Sequence, residues 1–288
     1  MHVTLADPES ALDEPAPAAA PAPLFDLAEV AAGRFQTRTD PRFWNQIGPF
    51  GGWLAGVAMA AMRCGLAPYW QVRAVTVNYL GPLPEGELQV CVTNLRQQRT
   101  VLGLRAELST AGELQPAVTA EAVFGLPREA PPGRGLACPA LPDPGSLERF
   151  HGLDPLAAFV RAFDYRVAWG VPFEQSPQPE SGGWLRLARP AAWAPEVLLM
   201  LADAWFPPGW ASLRGPQPVS TLSMQVVFHD AGDSALPPPD AFVAARHRME
   251  AVGGGYAHER GELWWPDGRL ALQAQQLTWV DTRSARPL

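Results

Sequence analysis

The sequence contains no lysine, so all 22 of its basic residues are arginine. Without lysine the chain cannot form a Schiff base with a carbonyl substrate, and it lacks the lysine of a phosphate-binding P-loop. Charged residues make up only 18% of the chain, and the formal net charge is -7. This acidic balance, with no basic stripe, argues against nucleic acid or an anionic membrane surface as the main partner.

Cysteine is also scarce, because Cys64, Cys91 and Cys138 lie far apart and form no CxxC pair. Such a sparse, odd set is typical of structural thiols in a reducing compartment. The five histidines show neither HxxxH nor HExxH spacing, so the sequence predicts no metal site and no cofactor. We find neither a signal-peptide pattern nor an apolar run of the roughly 18 residues that a membrane span needs, and we therefore expect a cytoplasmic protein.

Hydrophobic residues are plentiful, at 47% of 288 residues with 11 tryptophans, which suffices for a large core. Residues 1–22 are rich in alanine, proline and acidic side chains and are predicted to be a disordered tail. Residues 129–148 are rich in proline and glycine and are predicted to be a linker. The chain is thereby divided into an N-terminal unit, 23–128, and a C-terminal unit, 149–288.

The two units show the same order of elements, an apolar helix followed by several long strands. The helices are predicted at "FGGWLAGVAMAAMR" (50–63) and "PEVLLMLADAWF" (195–206). The strand patterns that follow are joined by turns such as "GPLPEG" (81–86) and "PDG" (266–268). Segment 146–194 is predicted to add a helix and the opening strand of the second unit. This repeat predicts an α+β fold in which each antiparallel sheet wraps around its helix.

A single carboxylate, Asp203, lies within the otherwise apolar run 197–206, which follows Pro195 and Glu196 in the helix of the C-terminal unit. Moving an ionised carboxylate out of water is costly unless partners compensate. Asp203 therefore either lies at a helix edge near solvent or is needed for function. The helix of the N-terminal unit has no acid before Arg63, so we expect one site per chain.

Several segments in a characteristic order carry a resemblance to a known family. In the N-terminal unit they are "GPFGGWLAG", "VNYLGPLPEGELQVCV" and "LRQQRTV"; in the C-terminal unit they are "SGGWLRL", "LADAWF", "STLSMQVVFH" and "RGELWWPDGRLALQAQQ". By these segments the chain resembles the acyl-CoA thioesterase II family, and the resemblance extends over roughly residues 25–281. The fold implied is a tandem hotdog, in which each unit is an antiparallel sheet wrapped around a central helix.

The resemblance implies that an aspartate, a threonine and a glutamine of the second hotdog orient the attacking water. Asp203 in "LADAWF" takes the position of the aspartate, and Thr221 takes that of the threonine ahead of "VVFH". Gln276 follows "RGELWWPDG" at the position of the glutamine, although the neighbouring Gln275 differs by only one position. An arginine usual in the family is replaced by Gly81, which bears on substrate preference.

Thioester hydrolysis needs a polarised, positioned water and donors for the developing oxyanion. Asp203 can accept a proton from the water. Gly51 and Gly52 open the first helix and have no side chain, so a thioester oxygen can approach the backbone amides there. We expect the acyl chain to enter an apolar channel. The residues predicted to line it in part are Trp53, Trp205 and Phe206.

The sequence therefore predicts an acyl-CoA thioesterase that hydrolyses acyl-CoA to free acid and CoA. The alternative is a hotdog protein that binds acyl groups without turnover. A dehydratase or hydratase needs a histidine paired with an acid across the site, and His229, beside Asp230, is the histidine considered for that role.

We expect acyl-CoA as the partner and a homo-oligomer, because exposed sheet edges tend to pair. Candidates for CoA binding are Arg96, Arg99 and Arg105.

Overall fold

The computed structural model describes residues 23–128, 135–154, 156–229 and 235–281. The predicted tail and the first part of the predicted linker, 129–134, lie outside these ranges. Within them the chain forms two α-helices and twelve strands. No helix of the described ranges combines the length and the apolar character that a membrane crossing requires.

Each half contributes six strands and one α-helix. The N-terminal half contains β1 (Ala28–Ala31), β2 (Arg34–Arg38), α1 (Gly51–Arg63), β3 (Gln71–Tyr79), β4 (Glu87–Gln97), β5 (Val101–Thr110) and β6 (Val118–Gly125). The C-terminal half contains β7 (Phe163–Trp169), β8 (Glu180–Leu187), α2 (Pro195–Ala204), β9 (Val219–Phe228), β10 (Val243–Gly253), β11 (Tyr256–Trp264) and β12 (Leu270–Val280).

All twelve strands belong to one sheet, in the order β1-β2-β4-β5-β6-β3-β9-β12-β11-β10-β8-β7. The two halves repeat the same order in mirror image around the seam between β3 and β9, which are antiparallel. At this seam the hydroxyl of Ser223 donates to Oδ1 of Asn78 at 2.9 Å. The two sheets thus continue into one another, and the α+β repeat predicted from the sequence is confirmed.

Both α-helices pack on the inner face of the sheet and against each other. They are apolar nearly all round because little of their surface faces water; in α2, for example, every residue from Val197 to Ala202 is buried. Burying a leucine side chain contributes roughly 1.5–3 kcal/mol, so the leucines anchor this helix. Arg63 at the end of α1 forms a 2.6 Å ion pair with Glu196 in the first turn of α2. The helices are therefore antiparallel, and Asp203 lies at the opposite contact, near the start of α1.

The predicted α-helix ahead of the second unit's opening strand is wrong for the described residues. Ala158–Ala162 forms a short 3₁₀ helix instead, followed directly by β7. The amide of Phe159 donates to the carbonyl of Trp44 in the N-terminal half, at 3.1 Å, rather than to a helical partner. A contact between the halves therefore replaces the local helix.

The described part of the predicted linker docks on the C-terminal half. The indole N–H of Trp264 donates to the carbonyl of Leu136 at 3.0 Å, and that of Trp184 donates to the carbonyl of Pro142 at 2.8 Å. These contacts satisfy two indole donors and hold the segment against the sheet. The unit boundaries at 128, 148 and 149 stay a prediction.

Candidate active site

A cavity of about 660 Å³ lies where the N-terminus of α1 meets the C-terminus of α2. Both halves of the chain contribute to its wall, which is largely apolar and aromatic. Among the lining residues are Leu54, Val118, Phe159, Tyr165, Trp205 and Phe206. Trp205 and Phe206, two of the three residues expected along an acyl channel, thus line this cavity.

The third expected channel residue, Trp53, does not line the cavity, which corrects the sequence expectation. Its side chain is only 1% exposed, and its indole N–H donates to the carbonyl of Leu24 at 3.0 Å. The ring also stacks on Phe43, with centroids 6.3 Å apart. Trp53 therefore packs α1 against the N-terminal segment, because its position on the helix turns it toward that segment.

Asp203, Gln276 and Thr221 form a hydrogen-bonded chain on the cavity wall. The hydroxyl of Thr221 donates to Oε1 of Gln276 at 2.8 Å, and Nε2 of Gln276 donates to Oδ1 of Asp203 at 3.0 Å. The three side chains come from β9, β12 and α2, so tertiary packing brings them together. All three are half-buried and line the cavity.

Strand alternation places Gln276, rather than Gln275, in this chain. Successive strand residues point to opposite faces of a sheet. Gln276 faces the cavity, whereas Gln275 is exposed on the outer face, where its amide donates to Oε1 of Gln225. Of the two neighbouring glutamines, Gln276 is therefore the one that lies at the cavity.

The start of α1 supplies a second donor to Asp203. The N-cap residue Phe50 makes no side-chain capping bond, and the first turn of α1 holds no acid. Helix N-termini carry unsatisfied N–H groups and a partial positive charge. The backbone N–H of Gly52 donates to Asp203, so a carboxylate from the C-terminal half caps the helix of the N-terminal half.

This bond also corrects part of the predicted oxyanion site. The amide of Gly52 is engaged by Asp203, and Gly52 does not line the cavity. Gly51 does line it, and a methyl group added there would lie 3.0 Å from Oδ2 of Asp203. Of the two glycines, Gly51 is therefore the one placed beside the space that a substrate would enter.

Burial raises the pKa of Asp203 from its ordinary value to about 7, against the lowering effect of the hydrogen bonds from Gln276 and Gly52. Asp203 also lies at the C-terminal end of its own helix, where the helix dipole disfavours a negative charge. A carboxyl group with a pKa near neutrality is half ionised at pH 7 and suits proton transfer.

Two tyrosines hold the helix ends that form the site. The hydroxyl of Tyr79 donates to the carbonyl of Gly51 at 3.0 Å, and that of Tyr165 donates to the carbonyl of Ala204 at 2.8 Å. Burial raises the pKa of both phenols well above the usual value, so both remain protonated donors. The tyrosines thereby fix the start of α1 and the end of α2 relative to the sheet.

The cavity also contains titratable residues that the sequence analysis did not select, His247 and Glu259. Burial raises the pKa of Glu259 to about 7 and lowers the pKa of His247 to about 3. Both positions share a strand face with buried apolar residues, Val243 and Ala245 in β10 and Leu263 in β11, which is the signal that could have identified them as facing inward. Among the described residues no group of His, Cys, Asp and Glu side chains is arranged to hold a metal ion.

The arginines expected to bind CoA do not line the cavity. Arg99 lies in the turn from β4 to β5, at the end of the sheet where β3 begins at Gln71. Tyr79, which lines the cavity, is eight residues farther along β3, or about 26 Å at the usual strand rise. Arg96 lies near the same turn, and Arg105 is paired with Glu107 at 2.9 Å. None of the described cavity residues is an arginine.

His229, the histidine considered for a dehydratase, is exposed and does not line the cavity. Its Nε2 lies 2.9 Å from Oε1 of Gln273. The neighbouring Asp230 lies outside the described residues. His229 is therefore not placed for the role that the dehydratase alternative would give it.

The stability of the protein is expected to reflect the raised pKa of Asp203. A carboxyl group whose pKa is higher in the folded state than in the unfolded state stabilises the fold fully below the unfolded value, and that contribution is lost as the pH rises through the folded value. Between pH 5 and 8 the free energy of unfolding of Asp203→Asn should therefore increase relative to wild type by about 2–3 kcal/mol.

Urea unfolding of both proteins at each pH measures this difference. The comparison with wild type is needed because buried, neutral His247 gives a pH dependence of opposite sign. Glu259→Gln, which removes the other carboxyl group of raised pKa, is the matched variant. Its free energy of unfolding should also increase relative to wild type as the pH rises. A difference between Asp203→Asn and wild type that is constant with pH would contradict the prediction.

Comparison with known proteins agrees with this architecture. The sequence profile of the acyl-CoA thioesterase N-terminal domain matches residues 40–125, and that of the C-terminal domain matches residues 136–280. No curated protein gives a significant match to the sequence.

Solved structures resemble most of the chain. A hot dog fold protein of unknown function from Alicyclobacillus acidocaldarius is 24% identical, with 91% of this chain and 97% of that one covered and a TM-score of 0.80. An acyl-CoA thioesterase II from Mycobacterium marinum is 18% identical, with coverages of 89% and 96% and a TM-score of 0.70. The dehydratase domain of RzxB from Pseudomonas fluorescens is 14% identical, with coverages of 89% and 98% and a TM-score of 0.52.

At these identities the structural likeness shows the fold alone, and the predicted tandem hotdog is confirmed. The likeness to a dehydratase domain illustrates that the fold supports more than one chemistry, so the chemistry must be argued from the site. The two profiles together match most of the chain, and the chain belongs to the acyl-CoA thioesterase family.

Proposed function

We propose that this protein is an acyl-CoA thioesterase that hydrolyses acyl-CoA to free acid and CoA, with a water positioned by Asp203, Gln276 and Thr221. The observation that carries the proposal is the hydrogen-bonded chain of these three side chains on the wall of a largely apolar cavity. Membership of the thioesterase family supports the same reaction.

In the proposed reaction the carboxylate of Asp203 takes a proton from the water as its oxygen attacks the thioester carbonyl carbon. The tetrahedral intermediate then collapses, the carbon–sulfur bond breaks, and the proton on Asp203 passes to the leaving thiolate. Gln276 holds Asp203 through its amide N–H and is itself oriented by Thr221. Holding the water and its base in place supplies much of the rate, because a positioned reactant has lost its translational freedom already.

The start of α1 is the proposed site for the oxyanion. Gly51 has no side chain and lines the cavity, so a thioester oxygen can approach its backbone amide at the start of the helix. The partial positive charge of the helix N-terminus would stabilise the negative charge that develops on this oxygen. The two halves thus contribute different functions, the oxyanion donor from the first and the water-positioning residues from the second.

A hotdog protein that binds acyl groups without turnover is the alternative proposal. Such a protein would need the apolar cavity but not a carboxyl group of raised pKa held by a glutamine and a helix amide. The association of all three polar residues in one hydrogen-bonded chain favours the enzyme. Acyl-CoA as substrate belongs to this proposal, while assembly into a homo-oligomer and a cytoplasmic location stay predictions.

The proposal is tested by the release of free thiol from acyl-CoAs of short, medium, long and aromatic acyl groups. We expect wild type to cleave at least one of them, and Gln276→Leu to reduce that rate by roughly 10- to 100-fold at pH 7. Because the bond from Gln276 lowers the pKa of Asp203, its loss should also move the rise of activity with pH to higher pH.

Gln275→Leu is the matched control, since it alters the neighbouring glutamine on the outer face. It should leave the rate within about twofold of wild type. No thiol release by wild type from any member of the panel would support the binding protein instead. Equal losses in the two glutamine variants would contradict the placement of Gln276 in the site.

A further inference from the structure

The proposed reaction does not use a second group of polar residues that lines the same cavity. His247 and Glu259 lie on the inner faces of β10 and β11, and Trp205 follows the end of α2. Their exposed fractions are 6%, 8% and 6%, and all three line the cavity beside Asp203. We call these three residues the inner polar pocket.

Two polar atoms of the inner polar pocket have no hydrogen-bond partner. They are Nε2 of His247 and Nε1 of Trp205, and both are buried. The two rings are stacked, with centroids 5.9 Å apart and an angle of 6° between their planes. An unpaired buried polar group is unfavourable to folding, and few such groups occur in native proteins. Both side chains line the cavity, and a bound polar group would pair with the two nitrogens once the rings turn to expose them, since neither nitrogen has accessible surface in this structure.

The backbone around the inner polar pocket leaves room for these side chains. Gly261 lies opposite His247 in the sheet, and a methyl group added to it would lie 2.5 Å from Cε1 of the imidazole. The carboxyl group of Glu259 has a long contact with the hydroxyl of Thr278, at 3.5 Å. An apolar side chain at any of these positions would fill the core without burying an unpaired polar group. The presence of three polar side chains instead is explained by a ligand that pairs with them.

We propose that the inner polar pocket binds a neutral oxygen substituent, a hydroxyl or an oxo group, on the acyl chain of the substrate. This inference rests on the proposed function, since it assigns the acyl class that the thioesterase would prefer. The apolar remainder of the cavity would hold the hydrocarbon part of the chain, and the pocket would select chains that carry the oxygen.

The chemistry of the pocket determines the class of substituent. The indole N–H of Trp205 only donates, so the bound group must accept a hydrogen bond, which excludes an ammonium group. A carboxylate would be repelled by Asp203 and Glu259, and no arginine among the described residues lines the cavity to offset this. Burial keeps the imidazole of His247 neutral, so one of its nitrogens donates and the other accepts. A hydroxyl group can accept a hydrogen bond from one of these groups and donate to the other. An oxo group can accept hydrogen bonds from the donors.

The test is the ratio of kcat/KM values for acyl-CoAs of equal chain length with and without oxygen. The panel contains the unsubstituted chain, chains with a hydroxyl or an oxo group at successive carbons, and a chain that ends in a carboxylate. We expect at least one hydroxyl or oxo compound to exceed the unsubstituted chain by about 10-fold or more, and the carboxylate to be the poorest. In His247→Phe and in Trp205→Phe, which keep an aromatic ring, the ratio should fall close to one.

His229→Phe is the control, because it alters a histidine outside the cavity and should keep the wild-type ratio. Thermal unfolding of His247→Phe should show a Tm no lower than that of wild type, since the variant removes an unpaired buried nitrogen. Ratios near one for every oxygenated compound, or an unchanged ratio in both pocket variants, would overturn the inference.

The failure of the proposed function gives a different result from the failure of this inference. If wild type cleaves none of the thioesters, the function fails, and calorimetric binding of the same CoA esters then measures the preference directly. Tighter binding of an oxygenated ester, lost in His247→Phe, would still support the pocket. Equal binding of all the esters would overturn it.

Discussion

Asp203→Asn is expected to lower the rate of thioester hydrolysis by about 100-fold or more, the largest effect of any single change considered, because it removes the proposed general base. Asparagine has nearly the same shape, and its Oδ1 can still accept the hydrogen bond from Gln276. The fold should therefore be retained. Thiol release from the best substrate of wild type measures the loss of rate. Near-UV circular dichroism of both proteins shows whether the fold is retained.

The matched control for this variant is Asp267→Asn, which alters an exposed aspartate in the turn between β11 and β12, ion-paired with Arg269. It should keep full activity. A folded Asp203→Asn protein that retains more than half of the wild-type rate would exclude Asp203 as the base. The wild-type rate should also rise with pH through about 7, where the carboxyl group ionises, and this dependence should disappear in the variant.

Gly52→Ala is expected to impair both stability and turnover, although it adds only one methyl group. That methyl would lie 2.6 Å from Cζ of Phe50 and 2.9 Å from Cβ of Asp203, both closer than real contacts allow. Phe50 cannot move freely, because it is 3% exposed and stacked on Phe159 with centroids 4.2 Å apart. The helices must therefore separate, at a cost of about 1–3 kcal/mol in the free energy of unfolding.

The hydrogen bond from the Gly52 amide lowers the pKa of the Asp203 carboxyl group. The same displacement of the helices should lengthen this bond. We expect a loss of turnover of roughly 10- to 100-fold, since small misplacements of catalytic groups have large effects. Thermal unfolding and thiol release measure the two consequences. Gly215→Ala is the control, because a methyl group there would meet nothing within 4 Å. A Gly52→Ala protein with wild-type stability and rate would show that the close approach of the helices is not needed.

The pairing of the two helices also bears on the number of sites in each chain. At one end of the pair, the start of α1 meets Asp203 near the end of α2. At the other end, Arg63 and Glu196 form an ion pair of 2.6 Å. This ion pair is located where the internal repeat would otherwise place a second site, which agrees with the expectation of one site per chain.

The sequence by itself determined the local elements and the chemistry available at them. The apolar helices, the alternating strands and the acid within the apolar run of α2 are visible as patterns because each depends on residues near one another in the chain. Asp203 could be selected for the same reason, since a lone carboxylate in an apolar helix contrasts with its immediate neighbours. The position of Thr221 and the range of two positions for the glutamine came from the resemblance to a known family.

Only the tertiary structure decided which side chains share the cavity. The choice between Gln275 and Gln276 depends on which face of β12 is covered by the helices, and the sequence places glutamine on both faces. His247, on β10, reaches the site because its strand lies two places from β12 in the sheet, while Trp53 turns away from the cavity toward Leu24. These placements depend on contacts between residues far apart in the chain, and the free energy of burying a polar or aromatic group is set by those contacts rather than by the residues beside it.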